Sequence, residues 1–223
     1  MYTLFMRKIP LVQGEYYHLY GRGVDKRVVF TEPSEYERFI AYLYILNSAQ
    51  NSRHSDFFRT HTSQDAFNID RGDPLVAFGA FCLMPNHFHL YVTPLVEGGV
   101  SKFMQRLQTA YTKYFNQKHA RTGALFGSTF KSEHVKNDNH AKYLFSYIHL
   151  NPAKLKDPRW KEKGSGDLKK LAAFVEEYPY SSYREYLSGD HVITAPAKFP
   201  EYLHNKSEVQ RHIKDWLQFQ DPA

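Results

Sequence analysis

Cysteine is all but missing. Cys82 is the single one in 223 residues, so no internal disulfide can form and a reducing compartment is expected. No apolar run is long enough to cross a bilayer. The opening stretch MYTLFMRKIPLVQGEYYHLYGRG has neither a long apolar centre nor a small-residue cleavage site, so no secretory signal is read. There is no internal repeat and no low-complexity tract. Acid is the scarcer charge: 23 Asp and Glu stand against 29 Lys and Arg, a net charge of +6, with an isoelectric point near 9.2. These absences set aside a secreted disulfide scaffold, a membrane-spanning protein and a solenoid. They favour a soluble cytoplasmic protein with a polyanionic partner and no membrane partner.

Aromatics are plentiful. The 17 Tyr and 17 Phe suffice for a packed core and for rings that stack on bases. GEYYHLYGRG (14–23) reads as a short strand ending in a Gly-Arg-Gly turn. Ser34 opens a helix in which Phe39, Ile40, Leu43 and Leu46 recur at helical spacing. Residues 50–73 are polar and irregular, a loop. PLVAFGAFCLM (74–84) reads as a buried strand, Pro85-Asn86 as a turn, and HFHLYVTP (87–94) as the returning strand. Ser101 caps an amphipathic helix, STFKSEHVKN (128–137) supplies a further strand, and Asp138 caps a helix that Pro152 closes. The order β-α-β-β-α-β-α predicts an α+β, ferredoxin-like antiparallel sheet with helices packed on one face. Residues 1–155 carry this unit. Residues 156–223, Lys-rich at first, form a basic linker and a C-terminal helical extension.

His87 and His89 are two residues apart on a strand and so share a face, while Phe88 points the other way. Two such imidazoles can hold one divalent metal. An isolated H-x-H, however, more often marks two unrelated histidines beside a turn. A metallo-β-lactamase-like site needs Asp and His just downstream, where HLYVTP stands. A barrel hydrolase needs a repeating βα pattern, which is absent. In YLFSYIHLNP, Tyr147 and Asn151 lie one turn apart on one helix face. A phenol and an amide oxygen could then face one metal. Taken alone, the pair reads better as a core aromatic and a helix cap before Pro152.

Together, GEYYHLYGRGVDKRVVF, FCLMPNHFHLYVTP, FMQRLQTAYTKYFNQKHARTGALFGSTFKSEHV, YLFSYIHLNPAKL and YPYSSYREYL resemble the REP-associated tyrosine transposases, a branch of the single-tyrosine HUH transposases. The resemblance runs from about Gly14 to Leu187, and H-x-H joined to a downstream YIHLNP carries it. It implies that His87 and His89 are metal ligands, that Tyr147 is the nucleophile and that Asn151 completes the metal site. It further implies Mg²⁺ or Mn²⁺ as cofactor. The implied reaction cleaves and rejoins hairpin-associated single-stranded DNA, at REP-like repeats, through a 5′-phosphotyrosine intermediate. Either a monomer or a homodimer fits the wider superfamily. Two positions depart from the common pattern: Gly21 stands where Asn precedes Arg-Gly, and Thr129 where Arg opens the last strand.

Tyr111, Tyr114 and Tyr143 are rival nucleophiles, but the first two read better as mixed core and basic DNA-facing surface, and Tyr143 lacks the Asn partner because its i+4 residue is Tyr147. Arg22, Lys26, Arg27, Arg106, Lys113, Lys131, Lys136 and Lys154 are candidate phosphate contacts. For most of them a solvated surface charge is the simpler reading. His149 reads as structural or as a DNA contact. Two other functions compete: a DNA-binding protein that has lost cleavage, and a metal phosphodiesterase that needs no tyrosine.

Overall fold

The computed structural model describes residues 10–50, 57–163 and 167–218. Residues 1–9, where no signal was read, lie outside the described residues. So do 51–56 of the expected loop, 164–166 of the expected linker, and 219–223.

Strands β1 (Tyr17–Arg22), β2 (Val76–Met84), β3 (His87–Pro94) and β4 (Lys131–His134) form one antiparallel sheet in the order β2-β3-β1-β4. Helix α1 (Pro33–Ile45) leads from β1 to β2, and α2 (Gly99–Lys118) from β3 to β4. These are two split βαβ crossovers, the ferredoxin-like α+β order expected from the sequence.

The helices divide between both faces of the sheet rather than lying on one. Tyr17, Leu19, Phe78, Phe88 and Leu90 face α1 and α2, packing with Phe39, Leu43, Phe103 and Leu107. Ala77, Ala80, Cys82 and Tyr91 face α3 (Asp138–Leu150), packing with Leu144, Phe145 and Ile148. The reason is in β2, which is buried along its whole length. A strand apolar at every position needs cover on both sides. The ladder shifts register between Phe78 and Ala80. A Cβ on the intervening Gly79 would meet the Phe199 and Tyr91 rings at 2.7–2.8 Å, so the bulge requires glycine there.

After α3 come α4 (Ala153–Lys156), α5 (Trp160–Lys163), α6 (Leu168–Glu177), α7 (Tyr183–Ser188) and α8 (Lys206–Gln218). Leu171, Val175, Tyr186, Val209 and Ile213 from this region join the core on the α3 face. The chain also covers the outer edge of β2. The Leu83 amide donates to the Tyr180 carbonyl at 2.9 Å, and the Ser182 amide to the Phe81 carbonyl at 3.0 Å. An edge strand this apolar would otherwise be open to pairing with another chain.

Three helix starts differ from expectation. α1 begins at Pro33, whose fixed φ suits the first helical position. α2 begins at Gly99 after Gly98, which has φ of 68°. Asn137, not Asp138, caps α3, its side chain accepting from the His140 amide at 2.9 Å. At the far end α3 stops at Leu150 as expected, but the chain turns at once into α4 beyond Pro152. Among the described residues, no helix is long and apolar enough to cross a membrane.

Candidate active site

Strands β1 and β3 aim alternate side chains at α3. In register, Tyr20 pairs with His89 and Arg22 with His87. His18, Tyr20, His87 and His89 therefore share the face that α3 covers. Helix α3 brings Tyr147 and Asn151 to the same place. The residues bound a cleft of about 830 Å³, which Arg22, Lys26, Lys131 and Lys154 also line.

Hydrogen bonds fix how the imidazoles point. Asn86 Nδ2 donates to the Lys26 carbonyl at 3.1 Å, so its Oδ1 is free to accept. His87 Nδ1 lies 2.6 Å from that oxygen and therefore carries the ring proton. The lone pair is left on Nε2. His89 is held by a longer relay. Glu133 Oε2 lies 3.5 Å from His18 Nδ1, which puts the His18 proton on Nδ1. His18 Nε2, 2.8 Å from His89 Nδ1, is then the acceptor. His89 Nε2 is left with a lone pair, and it is buried with no hydrogen-bond partner. An orphaned buried nitrogen in a polar cleft is a place for a ligand.

All three rings stay neutral near pH 7. Burial pulls His18 down to about 4, against the pull of Glu133. Burial, then the charges of Arg22 and Lys154, takes His87 to about 4. His89 falls well below the usual histidine value, by burial and then by His18 and His87. Lys154 is lowered by burial and by the nearby Lys161 and Arg22.

Asn151 is 2 % exposed. Its Nδ2 donates to the Tyr147 carbonyl at 3.0 Å, which leaves Oδ1 for another partner. The Tyr147 ring is half-buried, 5.3 Å from that of His89 at 80°, with Lys154 Nζ 5.4 Å from its centroid. Among the described residues, no group of three or more His, Cys, Asp or Glu is placed to hold a metal. A metal here would draw on the amide of Asn151 beside the two imidazoles.

Helix α3 is anchored from the C-terminal side. His149 is fully buried, packs against Phe145, Tyr183 and Tyr186, and meets Ser182 Oγ at 2.7 Å. Ser182 Oγ in turn accepts from the Phe81 amide at 2.8 Å. His149 is thus structural, and the alternative of a DNA contact falls away. Among the rival tyrosines, Tyr111 is buried under α1, its hydroxyl donating to the Val29 carbonyl at 2.6 Å. Tyr114 lines a separate groove, and Tyr143 lines the cleft.

The candidate cations divide. Arg22, Lys26, Lys131 and Lys154 line the cleft. Arg106 and Lys113 line a groove on the outer side of α1 and α2. There Arg106 donates to the Ser48 carbonyl at 2.6 Å. Arg27 donates to the Val24 carbonyl at 3.2 Å, and neither it nor Lys136 lines the cleft. His18 and Glu133 are functional-looking residues that the sequence reading passed over. Only the pairing of β1 with both β3 and β4 brings them to His89. Gly21 has a steric reason: a Cβ there would meet the Phe88 ring at 2.8 Å.

The family model described as "Transposase IS200 like" matches residues 44–151. Those residues are similar to the IS200-like transposases. The matched stretch runs from α1 to Asn151 and so contains His87, His89 and Tyr147. A solved structure described as the REP-associated tyrosine transposase bound to a REP hairpin is similar over 87 % of each chain, at 12 % identity and a TM-score of 0.48. No curated protein matches the chain. His18, at the start of the cleft, and α4 to α8 lie outside the matched transposase stretch.

Proposed function

We propose that the chain is a transposase that cuts and rejoins single-stranded DNA by covalent catalysis from Tyr147. The observation that carries this reading is the meeting of Tyr147, the orphaned His89 Nε2 and Asn151 in one basic cleft.

The Tyr147 oxygen attacks a backbone phosphorus. A bond forms between tyrosine oxygen and phosphorus, and the bond from phosphorus to the 3′-oxygen breaks. The phenol gives up its proton and the departing 3′-oxygen takes one up. The strand is left with a 3′-hydroxyl and a 5′-phosphotyrosine. Because the ester is kept, a second 3′-hydroxyl can reverse the step without ATP. Lys154, beside the Tyr147 ring, and Arg22 hold the phosphate against the nucleophile.

The donor set fits a divalent ion: two neutral imidazoles with Nε2 unpartnered or open, and an amide oxygen. Mg²⁺ or Mn²⁺ held by His87, His89 and Asn151 would supply Lewis-acid stabilisation of the phosphate charge. Neutral ligands leave the ion its full charge for that purpose. Burial keeps the imidazoles unprotonated and ready to bind. On this reading residues 1–155 form the catalytic unit, and 156–223 brace the tyrosine helix through Ser182. The sequence resemblance to the REP-associated branch makes a single strand flanking a hairpin the substrate to test.

The experiment is a denaturing gel of labelled hairpin DNA incubated with the protein and Mn²⁺. A protein–DNA adduct is expected that is lost in excess EDTA and lost in Tyr147→Phe. Binding with no adduct would return the chain to the class of non-cleaving DNA-binding proteins. Cleavage that survives Tyr147→Phe would make it a metal phosphodiesterase.

A further inference from the structure

Tyr143 stands one turn before Tyr147 on α3. It is 39 % exposed and lines the same cleft. Its ring lies 5.9 Å from that of Tyr147, with 23° between the planes. The Trp216 ring of α8 meets it at 5.1 Å and 67°. Lys161 Nζ, from α5, is 5.9 Å from its centroid. The position is therefore an aromatic ring open to solvent, set beside the nucleophile and flanked by cations.

We propose that Tyr143, braced by Trp216, is a stacking platform for one unpaired base next to the phosphate that Tyr147 attacks. This rests on the function proposed above and adds a base-binding subsite to it. Three features support the assignment. The ring is packed before any ligand arrives, since both Tyr147 and Trp216 lie against it, so little rotamer freedom is lost on binding. It is near-parallel to the Tyr147 ring, so a base laid on it continues an existing stack. Lys161 and Lys154 stand over the Tyr143 and Tyr147 rings respectively, where the phosphates on either side of that base would run. Aromatic stacking takes any base, because each has a π-face. The subsite thus fixes the position of the strand, not its sequence.

The consequence is a substrate role for the C-terminal region. Trp216 and Lys161 lie outside the matched transposase stretch, yet they complete the wall on which the base would lie. The rival role for Tyr143, that of alternative nucleophile, depends on its hydroxyl. Stacking depends on its ring.

The test is binding of single-stranded oligonucleotides to the full chain, read by fluorescence anisotropy in EDTA so that nothing is cut. Each nucleotide of the strand is replaced in turn by an abasic residue. For wild type, one abasic position should weaken binding on the order of tenfold, the effect of one aromatic–base stack. Tyr143→Ala should weaken the intact strand by a similar factor and lose all sensitivity at that position. Tyr143→Phe, which keeps the ring, should keep the sensitivity to the abasic residue at that position. The abasic series alters only the DNA, so its result stands even if Tyr143→Ala folds poorly. If Tyr143→Ala and wild type give the same affinity and the same abasic profile, the platform does not exist. If, in the denaturing-gel assay with Mn²⁺, Tyr143→Phe forms no adduct, Tyr143 is the nucleophile instead. If wild type binds no single strand at all, the proposed function fails first, and the subsite with it.

Discussion

His18 Nε2 lies 2.8 Å from His89 Nδ1, and this one contact decides which nitrogen of His89 faces the cleft. Partners behind a metal-ligating imidazole fix its tautomer and ring angle, and losing them commonly costs 10–100-fold in metal affinity. His18→Ala should therefore weaken Mn²⁺ binding by roughly that factor, measured by calorimetry or by the loss of free-ion Mn²⁺ signal in paramagnetic resonance. His18→Gln, whose amide oxygen can accept from His89 Nδ1, should restore much of it. Equal Mn²⁺ affinity in wild type and His18→Ala would reduce His18 to a packing residue.

Asn151 should behave differently from the histidines. Asn151→Ala removes one neutral oxygen and the bond that its Nδ2 makes to the Tyr147 carbonyl, while Tyr147 stays in place. Adduct yield should fall at low Mn²⁺ and recover in part as Mn²⁺ rises, because a weakened site refills by mass action. Loss of His87 or His89 should resist such rescue, since imidazole binds a transition metal more strongly than an amide does. The measurement is adduct yield across a Mn²⁺ series. Full activity of Asn151→Ala at low metal would leave Asn151 as the end of a helix only.

How far the site is legible in the sequence follows from the range of the interactions. The alternation in HFHLYV puts His87 and His89 on one face, and helical spacing joins Tyr147 to Asn151. Both are local relations. His18 is 71 residues from His89, and no local pattern states which strand β1 will pair with. The placement of helices on both faces does have a local sign: VAFGAFCLM has no polar side to show to water. The α3 cap falls one residue earlier than expected because its neighbours offer equal chemistry. Asn137 and Asp138 are both good cap residues, and the turn geometry chose the first. The separation of Arg106 and Lys113 from the cleft was beyond reach because α2 packs on the face opposite to α3.

Ser182 links the tyrosine helix to the sheet, and its removal should be felt in both stability and catalysis. Ser182→Ala deprives the Phe81 amide and His149 Nε2 of their partner. Each buried polar group left unsatisfied costs about 1–3 kcal/mol. A loss of roughly 2–6 kcal/mol, which at about 2–4 °C per kcal/mol is a fall in melting temperature of at least several degrees, should appear in thermal denaturation. Adduct yield at low temperature should also fall, since α3 loses the bond that holds it from behind. A melting temperature within a degree or two of wild type would show that His149 and Phe81 find other partners.

Salt should separate the cleft cations from the rest. Arg22, Lys26, Lys131 and Lys154 line the cleft. If each meets one phosphate of a single strand, the slope of log affinity against log salt is about −0.7 per contact, or about −3 in all. Lys131→Ala should flatten the slope by about 0.7 and weaken binding to every sequence alike. Lys113→Ala, in the groove beyond α2, should leave the slope for a short single strand unchanged. The measurement is a salt titration of oligonucleotide affinity for wild type and both variants. A slope that moves with Lys113 and not with Lys131 would put the strand on the α1–α2 side of the sheet, away from Tyr147, and the cleft would then lose its claim to the DNA.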